Sequence, residues 1–269
     1  MNKIFHLFSS RKSWVLPYLI FSAIFVIIPL LLIVVYAFTD DAGHLTLENF
    51  AKFFAHPEAV NTFVYSIGIA MITTIGCILL GYPAAWILNN CKKLGYARTL
   101  IMLFILPMWV NILVRTLATV ALFDFCKLPL GEGALIFGMI YNFIPFMILQ
   151  INTSLSKMDK SLLEASSDLG ANRFQTFWKV TFPLSIPGVI SGIALVFLPA
   201  VSSFFIPKLL GGGQYFLIGN VIENQFITVG EWNFGSAISV IMAFVMMAIM
   251  YLVRYVEKRN SGNRKEKKA

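Results

Sequence analysis

The sequence has few charged residues for its length. Asp, Glu, Lys and Arg make up 13% of its 269 residues and hydrophobic residues make up 58%, whereas soluble domains contain about 25% charged and about 45–50% apolar residues. The mean hydropathy is +0.78. Too few polar side chains remain to cover the surface of a soluble domain of this size, so the composition excludes a cytosolic protein and predicts an integral membrane protein.

Residues that carry catalysis, metal binding or nucleotide binding are also scarce. The three cysteines, Cys77, Cys91 and Cys126, are odd in number and lack metal-ligand spacing, so we expect neither a disulfide framework nor a zinc site. The GGGQ sequence at 211–214 lacks the Lys and the hydroxyl residue of a phosphate loop. The sequence contains neither paired carboxylates nor a His/Asp cluster of the kind that a membrane-embedded enzyme would need. We therefore expect no catalytic residue, no cofactor and no metal, and energy for active work must come from a partner.

Six long stretches are almost free of charge and predict six transmembrane helices. They cover residues 15–38, 60–90, 99–123, 133–156, 180–207 and 232–253. Each is long enough to cross a hydrocarbon core of ~30 Å, which takes ~17–25 helical residues, whereas barrel strands would be shorter and alternating. We predict an all-α membrane protein with one transmembrane domain over 1–269, a core at about 60–256 and a basic tail at 257–269. The uncharged stretch 209–222 is too short to span and is expected to be interfacial or re-entrant.

The distribution of Lys and Arg predicts the orientation. With both termini in the cytoplasm, 17 of the 21 basic residues lie inside and three, Lys52, Lys127 and Lys208, lie outside, with Arg115 in the membrane. The Lys and Arg residues form short clusters between the apolar runs and do not line one face. This distribution indicates charges that orient a membrane protein and not a surface for nucleic acid. Helical rise places Arg115 about 24 Å along the third span from Thr99, where we expect it to snorkel or to pair with Asp124.

The long loop at 155–182 predicts a helix-turn-helix. Asp159 can cap a first helix that Gly170 ends in a left-handed conformation. Asn172 can cap a second helix, which Pro183 is expected to stop. The simpler alternative is a loop that lies on the lipid headgroups. Three aromatic residues at helical spacing on the second helix are expected to pack on the protein's own spans: Phe174, Phe177 and Trp178.

This loop carries a recognisable pattern. Glu164, Ala165 and Ser166, then three residues, Gly170, nine residues and the sequence VTFP at 180–183 resemble the "EAA" loop of binding-protein-dependent ABC importer permeases, which reads E-A-A, three residues, G, nine residues, I-x-L-P. The spacing matches throughout. The departures are Ser for the third Ala, Val for Ile and Phe for Leu, all small or apolar exchanges.

The resemblance implies the fold and the role of the loop. The implied fold is the type I ABC importer (MetI-like) permease fold with a cytoplasmic coupling-helix loop that docks in a cleft of a cytoplasmic ATPase. On that basis the ATPase-coupling residues are Glu164, Ala165, Ser166, Asp168 and Gly170.

Further stretches are similar to one branch of that family, the B-type permease subunits of spermidine/putrescine importers. They lie at 80–86, 106–111 together with Arg115, 163–177, 198–200, 210–226 and 232–235. The resemblance as a whole extends over about 47–255. Within it, the region 117–133 is shorter than is usual in the family. This resemblance implies a permease subunit in the cell membrane that forms the translocation path with a second permease subunit. A dimeric ATP-binding subunit would hydrolyse ATP, and an extracytoplasmic solute-binding protein would deliver the polyamine.

A polyamine is a flexible polycation, so its path should offer carboxylates and aromatic faces; cation–π contacts contribute about 0.5–2 kcal/mol each. The spans contain no carboxylate, and Arg115 would repel a polycation. The alternatives are therefore an importer of another small solute, such as an anion, a metal chelate or thiamine, and a stand-alone channel, which would not need a coupling motif. The candidate path residues are Trp109, Phe204, Phe205, Tyr215 and Glu223.

Overall fold

The structure is a computed structural model that describes residues 15–90 and 97–266. Cys91, Lys92, Lys93, the basic residues before position 15 and the last three residues of the predicted tail lie outside the described residues. The described part is helical, with one isolated β-bridge between Thr39 and Leu45. The predicted all-α class is confirmed.

The helices follow one another with short connections. They are α1 (Leu16–Ser22), α2 (Ile28–Ala37), α3 (Glu48–Ala55), α4 (Pro57–Asn90), α5 (Ala97–Trp109), α6 (Ile112–Phe125), α7 (Glu132–Ser156), α8 (Lys160–Asp168), α9 (Arg173–Thr176), α10 (Phe182–Val201), α11 (Phe205–Leu210), α12 (Ile218–Asn224) and α13 (Trp232–Glu266). Wide π-helical turns join α1 to α2 and α9 to α10, and a third follows α12. The backbone of α13 continues to Glu266, well into the basic tail.

Among the described residues, five continuous helical stretches are long and apolar enough to cross a membrane, and a bent pair brings the number to six if it counts as one span. The five stretches are Pro17–Ala37, Pro57–Asn89, Glu132–Ser156, Arg173–Val201 and Trp232–Tyr255. The third predicted span, 99–123, is not one straight helix, because α5 and α6 meet at an angle of 103°. Asn111 causes a new helix to begin there: its side chain caps α6 by accepting the N–H of Leu113 at 2.8 Å.

The fifth span also differs from its predicted bounds. Pro183 does not stop the second loop helix, since α9 continues through the π turn Phe177–Thr181 into α10. A proline in a helix lacks an N–H and crowds the carbonyl four residues earlier, and a π turn in that place widens the helix. The span ends at Val201 and not at position 207, because the chain leaves the helix before α11.

The described chain forms two compact units. The first contains the residues up to Pro57 together with Ile222–Val245. In it the ring of Tyr36 lies 6.4 Å from that of Trp232. Lys52 Nζ lies 2.7 Å from Glu231 Oε2 and 4.8 Å from the centre of the Phe234 ring. An ion pair and ring contacts therefore join its two chain segments.

The second unit contains Glu58–Val221 and the residues from Met246 on, and it carries the loop and most of the candidate path. Its centre is the packing of α7 against α10, with Met147 and Ile151 on α7 and Val196 on α10 fully buried. A Cβ added to Gly188 would collide with the Ser154 side chain and lie 2.9 Å from the Gln150 carbonyl oxygen. Glycine therefore lets the two helix backbones approach closely, as small residues do in membrane bundles.

We expect Gly188→Ala to destabilise the protein, because the new methyl group meets backbone that cannot move without shifting α7 or α10. Overpacking of this kind costs about 1–3 kcal/mol. Gly68→Ala on α4 is the matched control, since nothing lies within 4 Å of the added Cβ, and alanine raises helix propensity by up to about 1 kcal/mol. The midpoint of thermal unfolding in detergent should fall for Gly188→Ala and not for Gly68→Ala. Equal midpoints would show that the close approach does not matter.

Candidate coupling loop and translocation path

The two short helices of the loop are capped as the sequence predicts. Asp159 Oδ1 accepts the N–H of Ser161 at 3.0 Å, and this bond lowers the pKa of Asp159 below its ordinary value because it stabilises the carboxylate. Asn172 and Gln175 form a reciprocal capping box at the start of α9, with distances of 2.8 and 3.0 Å. Both predicted N-caps are confirmed.

Gly170 makes the turn between the helices. Its φ of +76° lies in the left-handed region, where a residue with a Cβ is strained. Its N–H donates to Ser167 O at 2.9 Å, and the N–H of Ala171 donates to Ser166 O at 3.1 Å. These two bonds satisfy carbonyls at the end of α8, so the predicted left-handed C-cap is confirmed.

Ser166 holds the two loop helices together. Its side chain is buried, and its hydroxyl is hydrogen-bonded at 2.9 Å to that of Thr176 on α9. The third Ala of the family pattern could not form this bond, so the departure has a structural use in this chain. The other four residues assigned to the loop are exposed: Glu164, Ala165, Asp168 and Gly170.

One aromatic residue anchors the loop to α4. The ring of Phe177 lies 5.6 Å from that of Tyr82 and 6.0 Å from that of Trp86, both edge-on. The predicted packing on the protein's own spans holds for Phe177. Trp178 lies with its ring 5.3 Å from that of Phe182 at the start of α10 and is 50% exposed. The prediction does not hold for Phe174, which is 71% exposed. The loop therefore presents apolar as well as charged surface.

Polar side chains shape the glycine-rich segment between α11 and α12. Asn220 donates to the carbonyl of Phe204 at 2.9 Å, and its amide oxygen accepts the N–H of Leu217 at 3.1 Å. Ser66 on α4 accepts the N–H of Ile218 at 2.7 Å. Positive φ values at Gly212 and Gly213 close the turn. The stretch 209–222 therefore forms short, turned pieces, as expected for a segment that does not span.

The candidate path residues do not form one cluster. The rings of Phe204 and Phe205 have centres 4.0 Å apart and planes tilted by 35°. Tyr215 lies with its ring 6.4 Å from that of Tyr65. Trp109, at the end of α5 before the bend, is 88% exposed, and in the described part of the second unit no hydrogen bond or ring contact joins it to Phe204, Phe205 or Tyr215. Glu223 lies on the last turn of α12.

The expectation for Arg115 is wrong. Its side chain is only 8% exposed and donates to the carbonyl of Asn142 on α7 at 3.4 Å, and no ion pair with Asp124 is present among the described residues. The expectation assumed a straight third span, whereas α6 leaves the bend at 103° to α5. The positive charge is therefore directed into the protein.

Two residues of interest were absent from the sequence-based site. The hydroxyl of Tyr65 on α4 donates to Glu132 Oε1 on α7 at 3.1 Å, beside the ring of Tyr215. Tyr65 and Glu132 lie 67 positions apart, so no local spacing relates them. Glu132 is recognisable in the sequence only as one of several acids between spans.

The fold defines a class: a helical, multi-pass membrane protein with a structured loop between α7 and α10. The chain belongs to the family of binding-protein-dependent transport system inner membrane components, whose pattern it matches over residues 78–262. It is therefore an inner-membrane permease subunit and not an enzyme, and the predicted family is confirmed.

Relatives of known name cover nearly the whole chain. The chain is 37% identical over 259 residues to the spermidine/putrescine transport system permease protein PotB of Escherichia coli (strain K12), which covers 88% of this chain and 93% of that protein. It is 37% identical over 254 residues to PotB of Haemophilus influenzae, and the alignment covers 86% of this chain and 88% of that protein. It is 29% identical over 268 residues to a PotB homolog of Mycoplasma genitalium, covering 92% and 93%.

Solved structures resemble the fold. A bacterial ABC transporter that imports the acidic polysaccharide alginate has a chain that superposes with a TM-score of 0.75 at 15% identity, over 92% of this chain and 94% of that one. The methionine ABC transporter MetNI, in inward-facing conformations, gives a TM-score of 0.57 at 16% identity, over 74% and 93%. At these identities the likeness concerns the fold alone, and it confirms the predicted MetI-like permease fold.

Proposed function

We propose that this permease subunit serves an ABC importer of polyamines, with spermidine or putrescine as cargo. The observation that carries the proposal is the 37% identity to a spermidine/putrescine permease over 88% of this chain and 93% of that relative. A second permease subunit completes the path, a dimeric ATP-binding subunit hydrolyses ATP, and an extracytoplasmic binding protein delivers the cargo. Trp109, Phe204, Phe205, Tyr215 and Glu223 are proposed to line part of the path.

The cargo assignment is tested by uptake. Proteoliposomes with the full complex, ATP and the loaded binding protein should accumulate spermidine or putrescine, and not an anion, a metal chelate or thiamine. Glu223→Gln should weaken polyamine uptake more than it lowers expression, because a cation near a carboxylate gains more in a partly desolvated mouth than in bulk water. If the complex takes up neither polyamine, the cargo is another solute, and the membership of the permease family is unaffected.

The orientation we propose places both termini and the loop in the cytoplasm. It rests on the 17 basic residues that this arrangement keeps inside. The ends of α4 and α7 support it, since the hydroxyl of Ser156 lies 3.5 Å from the side-chain oxygen of Asn89. The basic segment after α4 and the loop after α7 therefore start at the same end of the second unit.

Single cysteines introduced at Thr46 and at Ser261 in a cysteine-free background test this orientation. A membrane-impermeant thiol reagent added from outside should label the cysteine at position 46 and reach that at position 261 only after the membrane is permeabilised. Labelling of both positions from the same side would contradict the odd number of spans, five, that this orientation places between them.

The loop is proposed to transmit force from the ATP-binding subunit. Glu164, Ala165 and Asp168 are exposed on α8. The side chain of Asp159 caps the start of α8, and the hydrogen bonds of the Gly170 turn fix its end. The Ser166–Thr176 bond and the Phe177 anchor connect that helix to α10 and α4. A displacement of α8 is therefore passed to two spans and is not absorbed by the loop.

Gly170→Val should abolish coupling. Valine at a φ of +76° is strained by on the order of 1–2 kcal/mol, so the turn changes and α9 points elsewhere. Polyamine uptake and stimulation of the ATPase should collapse while membrane insertion persists. Gly170→Asn is the matched control, because asparagine tolerates the left-handed conformation, and it should retain most of the uptake. Wild-type uptake and ATPase stimulation by the Val variant would exclude a role for the turn.

A further inference from the structure

Three residues from separate segments meet at the end of the second unit opposite the coupling loop. Tyr65 lies near the start of α4, Glu132 is the first residue of α7, and Tyr215 lies in the glycine-rich segment. The Tyr65 hydroxyl donates to Glu132 Oε1 at 3.1 Å, and the two tyrosine rings are 6.4 Å apart with 31° between their planes. Since α7 has 25 residues, this cluster lies roughly 37 Å along the helix from the loop.

The surrounding backbone fixes the three residues in place. The N–H of Gly131, directly before Glu132, donates to the carbonyl of Leu210 at 2.9 Å and so ties the start of α7 to the segment that carries Tyr215. Ser66, directly after Tyr65, accepts the N–H of Ile218 at 2.7 Å. The cluster is therefore held by two hydrogen bonds that do not involve its own side chains.

The Glu132 carboxylate is not neutralised within the described part of the chain. No described Lys or Arg pairs with it, and the Tyr65 hydroxyl occupies one of about four acceptor positions on its two oxygens. Glu132 is exposed, while both tyrosines are half-buried. An acid with open acceptor positions thus lies beside two aromatic rings at a surface that solutes can reach.

The chain contains a filled example of the same chemistry elsewhere. In the first unit the ammonium group of Lys52 lies 2.7 Å from a Glu231 oxygen and 4.8 Å from the centre of the Phe234 ring. A carboxylate and an aromatic ring hold a primary ammonium there, by an ion pair and a cation–π contact. Glu132, Tyr65 and Tyr215 offer the same groups without the ammonium.

We propose that Glu132, Tyr65 and Tyr215 form a binding subsite for a primary alkylammonium group, the terminal group of a polyamine. The subsite lies at the end of the permease that faces the binding protein and receives one end of the cargo during transfer. Glu132 supplies the charge, Tyr65 orients the carboxylate, and Tyr215 supplies an aromatic face. This proposal rests on the proposed function, because it assumes a cationic cargo.

The decisive variant is Glu132→Gln in the full complex. Glutamine keeps an oxygen that can accept the Tyr65 hydroxyl, so the substitution removes the charge and preserves the hydrogen bond. With saturating loaded binding protein, spermidine uptake should fall on the order of tenfold, while stimulation of the ATPase by the binding protein should stay near the wild-type level. Tyr215→Leu should lower uptake more than Tyr215→Phe, which keeps the ring.

Glu58→Gln is the matched control. Glu58 is an exposed acid on the first turn of α4, the same helix that carries Tyr65, and its loss should change neither uptake nor ATPase stimulation. If Glu132→Gln took up spermidine at the wild-type rate, the subsite would be overturned, and the bond between Tyr65 and Glu132 would have a structural role only. If Glu132→Gln lost uptake and ATPase stimulation equally, the subsite would also be overturned, because the charge would then serve to dock the binding protein. Absence of polyamine uptake by the wild-type complex would overturn the proposed function together with the subsite.

Discussion

The hydrogen bonds of Asn220 make the irregular part of this membrane protein possible. In hydrocarbon an unpaired backbone N–H or C=O costs several kcal/mol, so a chain can leave its helix only where something else satisfies those groups. Asn220 satisfies a carbonyl at Phe204 and an N–H at Leu217, and Ser66 satisfies the N–H of Ile218. Because these groups are paired, the segment between the fifth and sixth spans can turn back and carry Tyr215 to the start of α7.

The same constraint applies to two other departures from straight helices. The 103° bend of the third span is made at a residue, Asn111, that caps the helix it starts. The π turn before Pro183 lets one helix run from the loop into the fifth span. These two departures lie at or beside proposed sites: Trp109 directly before the bend, and the coupling loop directly before the π turn. Irregular backbone is expensive in lipid, so its position is informative about function.

The features that could be predicted from the sequence are those with local causes. The spans follow from apolar length, and the caps at Asp159, Gly170 and Asn172 follow from residue types within one turn of each helix end. The bend at 110–111 could not be predicted, because hydropathy measures how long an apolar stretch is and not its direction. The inward burial of Arg115 depends on that bend. The contact between Tyr65 and Glu132 depends on how α4 and α7 pack, which no spacing in the sequence encodes.

Three charged residues among those described bear on the proposed cationic cargo: Arg115, Lys52 and Glu132. A fixed positive charge beside a path would raise the barrier for a polycation, and Arg115 lies buried against the carbonyl of Asn142. Lys52 is neutralised by Glu231. Glu132, in contrast, has no cation beside it among the described residues and lies where two aromatic rings converge. The open carboxylate of Glu132 beside two rings and the resemblance to polyamine permeases are two independent properties, and both support the cargo proposed above.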